Sequence, residues 1–199
     1  MELQNVLEAD KLLPHLKGEL AAIRRTIQNT PVTCKVNGMY VTAMRDMMLA
    51  EGVELPEMKA YPFRYYSLQD YMELVVSCSI TLYGSVPLRE GLRRLGRLVI
   101  PTFANSLVGK VLLANHFWGV ALTCLARGYQ VSLRPGKCTV TEFTSGHALI
   151  ELRDVWLFGD SYQVGVIEGL MDWYKIDGTI TPKSLSQCNT DLVVEWAIH

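Results

Sequence analysis

The sequence predicts an α+β fold, with N-terminal helices packed on an antiparallel sheet and one buried helix in the C-terminal half. Three observations carry this reading. Up to Leu125 apolar residues recur at three- and four-residue spacing, the period of a helix face. From Tyr129 the period changes to alternation, as in half-buried strands. Between Tyr162 and Tyr174 the alternation stops, and Val164, Val166, Ile167, Leu170, Met171 and Trp173 leave almost no polar face.

Taken in order, Val6, Leu12, Leu13, Leu16, Leu20, Ile23 and Ile27 predict an amphipathic helix over residues 5 to 28, interrupted or started at Pro14. Pro31 to Tyr40 reads as a short extended piece with a turn at Asn37-Gly38, and Tyr40 to Glu51 as a helix stopped by Gly52. Six of the eight methionines fall between Met39 and Met72, where flexible thioethers fill irregular core gaps or line an apolar pocket. Ser67 and Asp70 form the start signal of a helix running to about Leu82.

The central stretch from Pro87 to Leu125 organises the chain. Leu88, Leu92, Leu95 and Val99 share one helix face, and Arg89, Arg93 and Arg97 share another. Pro101 is expected to end or kink this helix. A second helical pattern starts after Asn105, falters at Asn115 and His116, and resumes with Trp118, Ala121, Leu122 and Leu125. Beyond it, Tyr129–Leu133, Cys138–Phe143 and Ala148–Leu152 predict a three-strand meander joined by Gly-bearing turns. Asp160 is the expected cap of the buried helix, and Gly165 and Gly169, one turn apart, predict close approach of another backbone. Asp177-Gly178 closes that helix, and strands near Thr179–Thr181 and Asp191–Ile198 complete the sheet.

The 199 residues read as a single domain, 1–199, with a helical N-terminal extension (1–34) and an α+β core (35–199). Nineteen basic against 20 acidic side chains give no reason to expect nucleic acid as a partner. The aromatic cluster Tyr61–Tyr66 lacks the surplus of cations that supplies most nucleic-acid affinity. The apolar run Val111–Ala126 is broken by Asn115 and His116 and falls short of the ~18 residues of a membrane span, so stable membrane insertion is not expected. The polar opening carries no secretory signal pattern, and the expected location is cytoplasmic. Five scattered cysteines, none in C-x-x-C spacing, indicate neither a disulfide framework nor a structural zinc site.

The ordered motifs Asn37-Gly38-Met39-Tyr40, Tyr83, PLREGLRRLGR from Pro87 to Arg97, Phe103, Gly109, DSYQVGVIEG from Asp160 to Gly169 and LVVEW from Leu192 to Trp196 carry a resemblance. They resemble a paralogous family of uncharacterised proteins first noted in myxobacteria, over about Lys35 to the C-terminus. More distantly, the chain resembles four-vinyl reductase domains and the ligand-binding fold of nitric-oxide-signalling and Golgi-transport proteins. This likeness implies an α+β domain with an apolar cavity between helices and sheet, often dimeric, and in some relatives occupied by an acyl chain. The metal-type cysteines of many four-vinyl reductase domains have no counterpart, because Leu157-Phe158-Gly159 contains none and Cys188 stands alone.

These observations point to non-enzymatic binding of a hydrophobic small molecule, fatty-acid-like, by a sensor or carrier without cofactor or metal. The expected ligand-binding residues are Trp118, Trp156, Phe158, Tyr162, Met171 and Trp173, with Glu168 or Arg97 at a polar end. Glu168 and Asp172 also read as salt-bridge partners for arginines of the central helix. One alternative is a dimerising interaction module with a solid core. Another is a haem-based gas sensor with His116 as axial ligand.

Overall fold

The computed structural model describes residues 14–53, 55, 60–105, 107–113 and 117–197. Helix α1 (Pro14–Asn29) turns Leu16, Leu20, Ile23 and Ile27 into the core, so the segment read as an extension shares one apolar interior with the rest. Strand β1 (Lys35–Asn37) leads directly into α2 (Gly38–Ala50). Asn37-Gly38 is therefore a strand-to-helix junction, in which the Asn37 side chain accepts the Met39 N–H at 3.0 Å. A Cβ at Gly38 would overlap the Tyr61 carbonyl oxygen. Met44, Met47 and Met48 of α2 and Met72 are all buried, ordinary core filling for most of the methionine cluster.

Strand β2 (Tyr65–Ser67) feeds α3 (Leu68–Tyr83), whose first turn donates the Asp70 N–H to the Ser67 hydroxyl at 3.3 Å. Helix α4 (Leu88–Asn105) buries Leu88, Leu92, Leu95 and Val99, as the leucine stripe predicts. Pro101 does not end it: the helix continues one more turn. What the proline removes is the N–H that the Arg97 carbonyl would otherwise accept. That carbonyl lies against Gly169.

Helices α5 (Leu107–Leu112) and α6 (Trp118–Ser132) follow. The strand expected at Tyr129–Leu133 is a correction: α6 runs through Ser132, and only β3 (Leu133–Arg134) is extended. Tyr129 and Ser132 are three residues apart and both buried, so helical spacing accounts for the same residues that read as alternating, and packing decides between them. β3 joins a small antiparallel sheet of order β2-β1-β3.

The main sheet has four antiparallel strands in the order β4-β5-β7-β6. They are β4 (Lys137–Thr144), β5 (His147–Arg153), β6 (Gly178–Ser184) and β7 (Thr190–Trp196). The remaining predicted strands thus appear, two in the hairpin β4–β5 and two in the closing pair. Ala148, Ile150, Leu152, Leu192 and Val194 bury one face of this sheet. Helix α7 (Tyr162–Trp173) contributes buried residues along almost its whole length. Its cap is a second correction. Ser161, not Asp160, holds the N-cap position and makes no side-chain capping bond; its hydroxyl donates to the Asp160 carboxylate at 3.3 Å, and that carboxylate also pairs with Arg89. The α+β class stands. Among the described residues no single helix is long and apolar enough to cross a membrane.

Candidate ligand cavity

Helix α7 has two flanks of opposite character. Along one it meets α4 with almost no space between the backbones. A Cβ on Gly165 would overlap the Arg93 carbonyl oxygen, one on Gly169 the Arg97 carbonyl oxygen, and one on Gly96 the Tyr162 carbonyl oxygen. The rim of this contact carries three ion pairs: Arg89–Asp160, Arg93–Glu168 and Arg97–Asp172. Arg93 grips Glu168 with both Nε and Nη2, the former at 2.8 Å. This hydrogen bond raises the Arg93 guanidinium pKa against the opposing effect of partial burial. Side-chain exposures of 41% for Arg93 and 18% for Glu168 place the pair at the solvent edge.

Along its other flank α7 faces a cavity of about 60 Å³. Its walls are Met39, Tyr40 and Ala43 of α2, Val99, Ile100 and Phe103 of α4, and Cys124, Leu125, Gly128 and Tyr129 of α6. Leu113, Leu133 and Leu157 close it beside Tyr162, Gln163, Val166 and Leu170. The lining is apolar except for one arc. There the Tyr129 hydroxyl donates to Gln163 Oε1, and Gln163 Nε2 donates to the Leu157 carbonyl at 2.9 Å. The Tyr162 hydroxyl meets that of Tyr71 at 3.4 Å. Burial holds the Tyr71, Tyr129 and Tyr162 phenols well above their ordinary pKa, so all three are neutral at physiological pH. Burial likewise pushes the Cys78 and Cys138 thiols up to about 12, which removes them as thiolate nucleophiles.

The residues singled out from the sequence scatter around this centre. Tyr162 lines the cavity. Trp118 is buried on a neighbouring site, its ring 6.2 Å from Tyr174 and 5.9 Å from Trp196. Met171 is buried and Trp156 partly so, but neither lines the cavity. Phe158, in the left-handed region at φ 47°, lines a separate polar cleft under α1. Trp173 is 44% exposed. Arg97 and Glu168 belong to the α4–α7 rim, so Glu168 is the salt-bridge partner of an arginine rather than the polar end of the cavity. His116 lies outside the described residues. The residues the sequence reading missed, above all Tyr129 and Gln163, carried a signal as polar groups at helical spacing on apolar faces, but that signal was masked by the strand assignment at Tyr129. Among the described residues no three His, Cys, Asp or Glu side chains converge as a metal site requires.

The family described as "Protein of unknown function (DUF2378)" matches residues 32–197. No curated protein matches the chain. Among solved structures, the Fe(II) unliganded H-NOX protein from K. algicida superposes with a TM-score of 0.61 at 10% identity, covering 82% of this chain and 97% of that one. An oxygen-binding H-NOX domain related to soluble guanylate cyclases gives 0.59 at 14% identity, covering 80% and 92%. The H-NOX protein from S. oneidensis in the Fe(II)NO state gives 0.59 at 12% identity, covering 81% and 99%. The chain has the fold of these proteins.

Proposed function

The chain belongs to this family of proteins of unknown function, and from that premise we propose that it is a non-enzymatic sensor domain binding one small, largely apolar molecule. The observation that carries the reading is the cavity beside α7, an apolar space with a single polar arc. Protein interiors normally leave few voids larger than a water molecule, and an unfilled apolar cavity of this size costs stability. α7 is locked to α4 on its opposite flank, so a molecule that pushes on Val166 or Leu170 acts on a rigid helix pair.

A long fatty acid is larger than the cavity: about 60 Å³ is far below the ~300 Å³ at the lower end of ligand pockets. The same limit bears on haem, the iron-based alternative, which the likeness to the iron(II) H-NOX structures favours. Among the described residues no histidine lines the cavity, and His116, the axial ligand expected for haem, lies outside them.

Native mass spectrometry of the purified full chain, before and after denaturation, tests the reading. A small organic mass released on unfolding is the expected result. A porphyrin mass would establish the haem sensor instead, and a ligand-free chain that gains no stability from any small apolar compound would leave the interaction module as the function.

A further inference from the structure

The hydrogen-bonding capacity left over in the cavity wall determines what chemistry its occupant must bring, an argument that rests on reading the cavity as a ligand site. Gln163 is buried, its oxygen accepts from Tyr129, and one of its two amide hydrogens goes to the Leu157 carbonyl. The second amide hydrogen has no acceptor among the described residues. Tyr162, 1% exposed, has Tyr71 as its hydroxyl partner, and two hydroxyls joined by one bond leave one hydrogen over. That bond, at 3.4 Å, is also longer than the 2.5–3.0 Å of a well-formed O–H···O contact. Either hydroxyl can be the donor of that bond, and of the two it is the Tyr162 hydroxyl that stands at the cavity. Tyr162 and Gln163 both line the cavity, whereas Tyr71 does not.

The second Gln163 amide hydrogen is thus a spare donor, and the Tyr162 hydroxyl, whose hydrogen can rotate, can donate beside it. No Lys or Arg lines the cavity, so a buried carboxylate would have no counter-charge. We propose that the cavity selects a small uncharged molecule carrying an acceptor oxygen, such as a ketone, ester or ether, which accepts from the Gln163 amide and the Tyr162 hydroxyl while its apolar part meets Val99, Leu125 and Leu170. This departs from a fatty-acid ligand in charge as well as in size.

Titration of the full-length protein with butanone, butyrate and pentane at neutral pH, read by calorimetry and thermal shift, tests it. Butanone and pentane bind and butyrate does not. Tyr162→Phe weakens butanone by roughly threefold to tenfold, the value of one neutral hydrogen bond, and leaves pentane unchanged. Tyr71→Phe, which removes the outer hydroxyl and keeps the Tyr162 donor, retains butanone binding. Butyrate binding as tightly as butanone overturns the proposal without use of any variant. Equal effects of Tyr162→Phe on butanone and pentane overturn the donor assignment but leave the apolar cavity a ligand site. Failure of all three compounds to bind overturns the proposal and the site together.

Discussion

The two flanks of α7 use glycine in opposite ways. On the α4 side Gly165 and Gly169 face carbonyl oxygens of another helix, and no side chain fits. On the α6 side Gly128 lines the cavity, and a Cβ there would meet nothing within 4 Å. A glycine in a helix interior costs ~0.5–1 kcal/mol relative to alanine. At Gly165 and Gly169 that cost is offset by backbone contact, while at Gly128 it leaves space. The same residue type therefore marks a closed interface in one place and an unfilled volume in the other, and only the neighbouring helix tells them apart.

The sharpest way to break this contrast is Gly165→Leu. Its side chain has nowhere to go without parting α4 from α7, and the loss should reach several kcal/mol, at or above the ~1–3 kcal/mol typical of overpacking. An unchanged urea midpoint would show that the helices are not in contact. Arg93→Gln acts on the rim of the same flank and should cost ~1 kcal/mol or less, because the Arg93 side chain is 41% exposed. A double-mutant cycle with Glu168→Gln isolates that coupling, and a coupling of several kcal/mol would mean that the pair is buried in solution. Gly128→Ala, on the open flank, should raise stability by up to ~1 kcal/mol through reduced entropy of the unfolded chain. A decrease there would place Gly128 against a neighbour and remove the contrast.

The sequence made the closed flank legible and hid the open one. Glycines one turn apart on an apolar helix, and arginines one turn apart on another, state a close contact and a charged rim through spacing alone. Leu88, Leu92, Leu95 and Val99 named the face that packs inward in the same way. A cavity has no such periodicity, because it is a deficit of volume summed over four helices. Tyr129 shows the difficulty: it alternates with Val131 and Leu133 as in a strand, yet also lies three residues before Ser132 on a helix face, and only the rest of the fold decides. Large aromatics drew attention to Trp156 and Trp173, whereas the wall is mostly Val, Leu, Ile and Ala, side chains that look identical in sequence whether they fill space or border it.

Diffraction from crystals of the protein held under xenon pressure tests the contrast between the flanks directly, since an apolar cavity takes up xenon where close packing cannot. The account predicts xenon in the cavity, in contact with Val99, Leu125 and Leu170, and none at the glycine-mediated contact of Gly165 and Gly169 with α4. Side-chain density filling the first position, or xenon lodged between Gly165 and α4, would contradict it.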